Sequence, residues 1–309
     1  MKIYKITILL LLALYANAQN YTIKSGDNLW AIAKKMQVNI KDLEIANNIQ
    51  DPNKIKVGQI LIIPNAKSKS IKHKADISPR SSSTNDAGCD ANAKKLIKYY
   101  TAVTKCQENK IYFSDGSFMI YDDYRKESFK KVLQNADIQD MFYQHYIKGS
   151  HGIPPKYNYD PGRFRNGKFF RKIYGNSASE VRSHLTTINW FGQHIKVTTI
   201  NGVDKHLKAI AKELLHYPKL RKYLTPIGGT FKWRYIAGTH RLSVHSFGAA
   251  IDINVRYSAY WRWSKGGYRY QNKIPLQIVK IFEKHGFIWG GKWYHYDTMH
   301  FEYRPELLH

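Results

Sequence analysis

The sequence has little cysteine, few acidic residues and no long hydrophobic run after its first 18 residues. Its 309 residues include two cysteines, Cys89 and Cys106. They can form one disulfide in an oxidising compartment or remain two free thiols. Neither lies near the histidine-rich segments, which argues against a zinc ion held by sulfur. The length suits one sizeable core and a small additional module.

The first 18 residues have the pattern of a secretory signal peptide. A basic start precedes an apolar run over residues 6–15 and a small-x-small site ending at Ala18. The run is shorter than the roughly 20 apolar residues that a membrane-spanning helix needs. Because no cysteine follows the cleavage site to carry a lipid, we expect a soluble, exported protein without a stable membrane anchor. It would reside in the periplasm or the cell wall.

Acidic residues are scarce: the sequence has 23 Asp and Glu against 49 Lys and Arg, which gives a net charge of +26. Such an excess is typical of nucleic-acid-binding proteins. An exported protein rarely meets nucleic acid, however, and the sequence has no recognition-helix or aromatic RNA-binding signature. Anionic polymers of the cell envelope, such as peptidoglycan with its free carboxylates, are better partners, although the charge can also serve solubility alone.

Residues 20–64 have the pattern of a compact module with the order strand, helix, helix, strand. A short strand begins at Tyr21, and a closing strand over 59–64 ends at a proline. Between them, apolar residues recur at i, i+3, i+4 and i+7, which predicts one buried helix face. These residues are Leu29, Ile32, Ala33 and Met36.

This module resembles the LysM domain in three motifs: Gly-Asp-Asn-Leu-Trp at 26–30, Ile-Ala-Asn-Asn at 45–48 and Val-Gly-Gln-Ile-Leu-Ile-Ile-Pro at 57–64. LysM domains bind glycans that contain N-acetylglucosamine, chiefly peptidoglycan and chitin. The alternative is a small module for another partner. The resemblance implies a sugar groove lined by Gly26, Asp27, Asn28, Leu29 and Ile62.

Residues 65–88 alternate lysines with small or polar residues and then become rich in serine. Such a segment buries too little to offset its ordering entropy, so it is expected to be a flexible linker. Residues 89–309 are globular in composition and rich in aromatics.

The pattern of this last region predicts an α+β fold, with a small antiparallel sheet and flanking helices. Helices are expected over His206–Leu215 and after Pro275. Strands are expected at Ala249–Val255, Phe287–Trp289 and His300–Tyr303.

Two stretches about fifty residues apart offer ligands for one metal ion. The first contains His245 and Asp252, and the second contains Asp297 and His300. Two imidazoles and a carboxylate can hold a catalytic zinc with one position left for water, and a further carboxylate can act as base. Asp297 and His300 are three residues apart, so a single turn can bring both to one site. His295 could face the same cleft, although a structural role fits it better.

A straight strand would separate His245 from Asp252 by roughly 23 Å, so the chain must bend between them, and Gly248 offers the flexible point. Burying Asp252 is costly unless it is paired or bound to a metal. The alternative is that Asp252 only pairs with one of the many arginines.

The pattern Ser-x-His-x-x-Gly-x-Ala-x-Asp, followed by Trp-x-x-x-Asp-x-x-His-Phe-Glu, resembles zinc peptidases of peptidoglycan. These enzymes cleave D-alanyl-D-alanine or L-alanyl-D-glutamate bonds in stem peptides, and they include vancomycin-resistance D,D-carboxypeptidases and phage endolysins. The resemblance covers roughly residues 225–309, with the metal motifs in 234–303. It implies one Zn²⁺ per chain, held by His245, Asp252 and His300.

The same resemblance implies roles for neighbouring residues. Asp297 would be the general base, in a cleft that raises its pKa, and an aspartate there is typical of the endopeptidase-like members. Ser243 would brace the site. The place of Glu302 in the predicted strand after His300 favours support of that imidazole, with the role of base as the alternative. Arg234 would steady the substrate, with Arg241 as the competing candidate.

We therefore expect an exported, monomeric zinc peptidase acting on peptidoglycan stem peptides and held to the wall by its LysM module. The alternative is a non-catalytic peptidoglycan-binding envelope protein that keeps the fold. The sequence is compatible with cleavage of either a terminal or an internal bond of the stem peptide.

Overall fold

A computed structural model describes residues 19–38, 40–47, 49, 55–63, 88–149, 155–264 and 267–308. The chain divides into two compact units, Met1–Arg80 and Ser81–His309. The expected leader ending at Ala18 and the expected linker over 65–88, apart from Gly88, lie outside the described residues. Within the described ranges, no helix has both the length and the apolar character needed to cross a membrane.

The first unit is built from two strands and two helices. Strand β1 (Gln19–Thr22) pairs antiparallel with β2 (Ile60–Ile63), and helices α1 (Leu29–Lys35) and α2 (Ile40–Ala46) connect them in sequence. Asn28 caps α1, because its side chain accepts a hydrogen bond from the backbone N–H of Ala31. The buried residues of this unit are Ile23, Leu29, Ile32, Ala33, Leu43, Leu61 and Ile63.

The second unit begins with a helix and a three-stranded antiparallel meander. These elements are α3 (Ala91–Tyr99), β3 (Val103–Gln107), β4 (Lys110–Phe113) and β5 (Phe118–Ile120), followed by α4 (Phe129–Asn135). Cys89 and Cys106 form a disulfide. The bond joins the residue pair that the sequence left undecided, and it ties the start of α3 to β3.

The middle of this unit contains four helices around a hairpin. The helices are α5 (Gly167–Tyr174), α6 (Ala178–Ser183), α7 (Val203–Leu214) and α8 (Arg221–Leu224), and the hairpin is formed by β6 (Leu185–Trp190) and β7 (Gln193–Thr198). The helix predicted from His206 begins three residues earlier, directly after Gly202, whose left-handed backbone precedes the first turn.

The last part holds a three-stranded antiparallel sheet in the order β8-β10-β9. Strand β8 is Ala250–Asp252, β9 is Phe287–Trp289 and β10 is His300–Tyr303, while helix α9 (Leu276–Lys284) precedes β9. The rings of Phe282 on α9 and Phe301 on β10 stack with centroids 4.0 Å apart. The α+β fold expected from the sequence is confirmed.

One predicted strand is shorter than expected. Periodicity suggested Ala249–Val255, but β8 ends at Asp252. Asn254 causes the exit, because its side-chain oxygen accepts from the N–H of Arg256 and its amide donates to the carbonyl oxygens of Lys222 and Thr225. The chain therefore turns out of the sheet directly after the aspartate.

The stacked pair at the sheet centre predicts a large stability cost for its removal. Phe301→Ala should lower the free energy of unfolding by about 3–5 kcal/mol, the usual cost of emptying a buried aromatic site. Phe118→Ala is the matched control, because its side chain on β5 is 52% exposed. Denaturant unfolding of both variants tests this, and equal losses in the two would contradict a core role for Phe301.

Candidate metal centre

A tight bend brings His245 back over the strand that follows it. Residues Val244–Phe247 form a 3₁₀ turn capped by the Ser243 hydroxyl, which accepts from the backbone N–H of His245 at 3.4 Å. Gly248 then adopts a left-handed φ of +66°, and a Cβ there would lie 2.6 Å from the side chain of Leu185. A side chain here would be strained by the left-handed backbone and crowded by Leu185 and the backbone N of Thr198, so the bend favours glycine.

The second half of the centre is set by strand pairing. In the antiparallel register, His300 on β10 lies directly opposite Asp252 on β8. The backbone N–H of His300 donates to the carbonyl oxygen of Asp297 at 3.2 Å. This turn keeps Asp297 beside the first residue of the strand.

The three candidate ligand atoms form a compact triangle. His245 Nε2 lies 3.1 Å from Asp252 Oδ1 and 3.1 Å from His300 Nδ1, and His300 Nδ1 lies 3.0 Å from Asp252 Oδ1. Ligands about 2.0–2.1 Å from a tetrahedral zinc are about 3.3 Å from one another. Two imidazole nitrogens and one carboxylate oxygen at this spacing therefore fit zinc, with a fourth position for solvent or substrate.

Each imidazole is oriented by a hydrogen bond from its ring nitrogen that faces away from the triangle. His245 Nδ1 donates to the backbone carbonyl of Thr230 at 2.6 Å, and His300 Nε2 donates to the Glu302 carboxylate at 3.0 Å. Each ring thus presents its other nitrogen to the centre of the triangle. Such partners fix ring orientation and raise the basicity of a metal ligand.

The carboxylates of Asp252 and Glu302 lie beside imidazole and guanidinium groups, which favour their ionised forms. Burial would raise the pKa of Asp252, but the imidazoles of His245 and His300 outweigh it and hold that pKa below its usual value. Burial also opposes the charged form of Glu302, yet Arg165 and His300 lower its pKa to about 2. Both carboxylates therefore remain ionised beside the rings.

Asp297 has one carboxylate oxygen left without a partner. Its Oδ1 is buried, and it makes no hydrogen bond within the described structure. Burial, helped by the nearby charge of Asp252, raises its pKa to about 6. A buried polar atom without a partner is uncommon in proteins, and a raised pKa suits a general base that acts near neutral pH.

A cleft of about 140 Å³ opens over these groups. Arg234 lines it and is exposed, and no carboxylate of the described ranges pairs with it. Arg241 lies elsewhere: its Nη1 donates to the carbonyl of Arg163 at 2.8 Å, and its side chain lines a separate cavity. The structure thus brings Arg234 to the cleft and leaves Arg241 outside it.

Two further residues that line the cleft, and a carboxylate that holds His295, come from the part of the chain before residue 225, which the peptidase resemblance does not cover. Arg163 and Arg165 line the cleft, and Arg165 Nη1 pairs with Glu302 at 3.2 Å. Asp160 is fully buried and binds both Nδ1 and the backbone N–H of His295, at 2.6 and 2.9 Å. Each contact spans more than 130 residues, so no local pattern could have indicated it.

The residues expected to line the sugar groove of the LysM unit differ in how exposed their side chains are. Gly26 has a φ of +86°, Asp27 accepts from the Tyr21 hydroxyl at 2.8 Å, and Asn28 caps α1. Ile62 is 39% exposed, whereas Leu29 is 1% exposed. Leu29 belongs to the core of this unit, so it can offer a sugar only its backbone.

Two family models match the chain. Residues 21–64 match the LysM domain, and residues 237–303 match D-alanyl-D-alanine carboxypeptidase. The chain therefore carries a LysM domain and a D-alanyl-D-alanine carboxypeptidase-type domain. Both resemblances noted in the sequence are confirmed. The second match includes His245, Asp252, Asp297 and His300 and begins after Arg234.

Two curated relatives are N-acetylmuramoyl-L-alanine amidases of Bacillus subtilis (strain 168). XlyB is 39% identical over 67 residues, which is 22% of this chain and 21% of the relative. XlyA is 48% identical over 46 residues, or 15% of this chain and 16% of the relative. The matches thus span about a fifth or less of these relatives. No solved structure matches the chain significantly.

The position of Glu302 behind His300 predicts an effect on metal binding. Glu302→Gln keeps the shape of the side chain but removes the charge that supports the imidazole, so zinc affinity should fall about 10–100-fold. Competition with a chromophoric chelator measures this.

Glu283→Gln is the matched control. Glu283 is also buried and ion-paired, with Lys292 and the Tyr146 hydroxyl as partners. Unchanged zinc affinity in Glu302→Gln, or an equal loss in both variants, would contradict the role of Glu302.

Proposed function

We propose that this chain is an exported zinc peptidase that hydrolyses amide bonds in the stem peptides of peptidoglycan. Its LysM domain would hold it to the glycan strands through the backbone near Gly26–Leu29 and the surface near Ile62. The bond is of the D-alanyl-D-alanine or the L-alanyl-D-glutamate type. The protein would act in the periplasm or the cell wall.

The observation that carries the proposal is the convergence of two distant stretches on one point. His245, Asp252 and His300 offer three ligand atoms 3.0–3.1 Å apart, and Asp297 adds a buried carboxylate oxygen with no hydrogen-bond partner among the described residues. A binding protein without catalysis has no use for this costly arrangement. The three-ligand set with a neighbouring base is typical of catalytic zinc sites.

The roles of the residues follow from their positions. His245, Asp252 and His300 would hold the zinc, and Ser243 would keep the His245 turn in shape. A zinc ion bound there would supply Lewis acidity, polarising the scissile carbonyl and lowering the pKa of a water molecule toward 7.

Proton transfer is assigned to Asp297. Its carboxylate takes a proton from the attacking water and returns it to the leaving amine, which completes general acid–base catalysis. Arg234, exposed over the cleft, would pair with a carboxylate or carbonyl oxygen of the substrate. Rings at the cleft wall, among them Trp261 and Trp293, limit access of further water to the reacting atoms.

Digestion of purified sacculi tests the reaction itself. The zinc-loaded chain should release amino acids or peptides, chelation should abolish the release, and added zinc should restore it. Mass spectrometry of the muropeptides identifies the bond, because loss of one terminal D-alanine differs in mass from cleavage next to D-glutamate. Intact muropeptides after incubation with the zinc-loaded chain would refute the proposed activity.

Replacement of the proposed base separates chemistry from metal binding. Asp297→Asn should lower hydrolysis about 10²–10⁴-fold while one zinc per chain remains bound, as measured by metal analysis. Asp140→Asn is a matched control, since burial also raises the pKa of Asp140 to about 6 and it does not line the cleft. Retained turnover in Asp297→Asn would remove Asp297 from this role.

A further inference from the structure

An open groove lined by aromatic rings continues outward from the catalytic cleft. Its volume is about 760 Å³, within the usual range for ligand sites. Trp261 and His295 line both the groove and the cleft. A ligand held in the groove therefore lies directly beside the proposed site of hydrolysis.

The rings form an unbroken series of contacts. Tyr157 packs on Tyr294 with centroids 5.1 Å apart, Tyr294 packs on His295 at 5.0 Å, and His295 packs on Trp261 at 4.7 Å. Tyr268 stacks flat against Tyr294 at 4.1 Å. Contacts between neighbouring rings fix their orientation and preorganise the surface, which lowers the cost of binding.

The outer rings are unusually exposed. Tyr157 is 75% exposed and Tyr268 is 40% exposed. Exposed apolar groups gathered at one concave site mark a binding surface more often than scattered ones do. The groove carries little charge. Among the described residues that line it, Arg262 is the one Lys, Arg, Asp or Glu.

We propose that this groove binds a sugar ring of the glycan strand that carries the stem peptide, as a second saccharide site distinct from the LysM domain. The inference rests on the proposed function. Stem peptides offer alanine methyls and charged groups, neither of which covers a series of flat rings. A pyranose has an apolar C–H face that packs on an aromatic ring and a polar rim that stays hydrated, which matches tyrosines with apolar faces and hydroxyl tips.

Binding is the readout, so that hydrolysis is not needed for the test. The zinc-loaded full chain carrying Asp297→Asn is titrated calorimetrically with a disaccharide pentapeptide and with the same pentapeptide without sugar. Adding Tyr157→Ala and Tyr268→Ala should weaken binding of the sugar-linked ligand about tenfold and leave the free peptide within about twofold. The LysM domain contributes equally to parent and variant, so the difference isolates the groove.

Two controls test the stacking. Tyr217→Ala removes a tyrosine that is 39% exposed and does not line the groove, and it should change neither affinity. Tyr268→Phe keeps the ring and should retain the sugar-linked affinity. Equal weakening of both ligands would show that the groove holds peptide, and no weakening would show that its rings do not bind; either result overturns the inference.

The two proposals fail separately. If the unmutated chain leaves sacculi intact but the double variant still loses affinity for the sugar-linked ligand alone, the groove is a saccharide site on a protein without peptidase activity. If sacculi are digested and the affinities do not separate, the peptidase stands and the groove inference is wrong.

Discussion

The antiparallel pairing of β8 with β10 is the constraint on which the candidate site depends. It places Asp252 opposite His300, and strand partners on one face of a sheet lie close enough for their side chains to meet. A shift by one residue would turn one side chain to the other face. The bend at Gly248 then adds His245 as the third group, so the candidate ligands are held by backbone geometry rather than by flexible loops.

Buried charge connects this sheet to the preceding half of the unit. Glu302 pairs with Arg165 and Arg304, each at 3.2 Å, and Arg304 Nε binds Glu306 at 2.6 Å. Glu306 in turn accepts from the Tyr100 hydroxyl at 2.8 Å. Removing one member of a buried ion pair typically costs about 3–5 kcal/mol. The residue that orients His300 is therefore held by side chains from well before the family-matched segment.

Local rules accounted for much of the fold. Helical spacing located α1 and α9, and the short strands at Phe287–Trp289 and His300–Tyr303 were found where apolar residues predicted them. The predictions were wrong at the ends of elements. Periodicity extended β8 to Val255, because the hydrogen bonds of Asn254 to Lys222 and Thr225 join residues that are distant in sequence. Long-range polar contacts therefore determine where such a strand ends.

Local patterns along the chain were enough to identify the functional groups: a leader pattern, the LysM motifs, and two imidazoles and two carboxylates at spacings that suit one metal. Which of their atoms meet depends on tertiary packing. It turned His300 Nδ1 toward Asp252 and left Asp297 Oδ1 unpaired. It also brought Arg234 rather than Arg241 to the cleft and joined the cleft to an aromatic groove. Ring orientation, burial and partners distant in sequence arise from packing, and spacing along a chain carries no information about them.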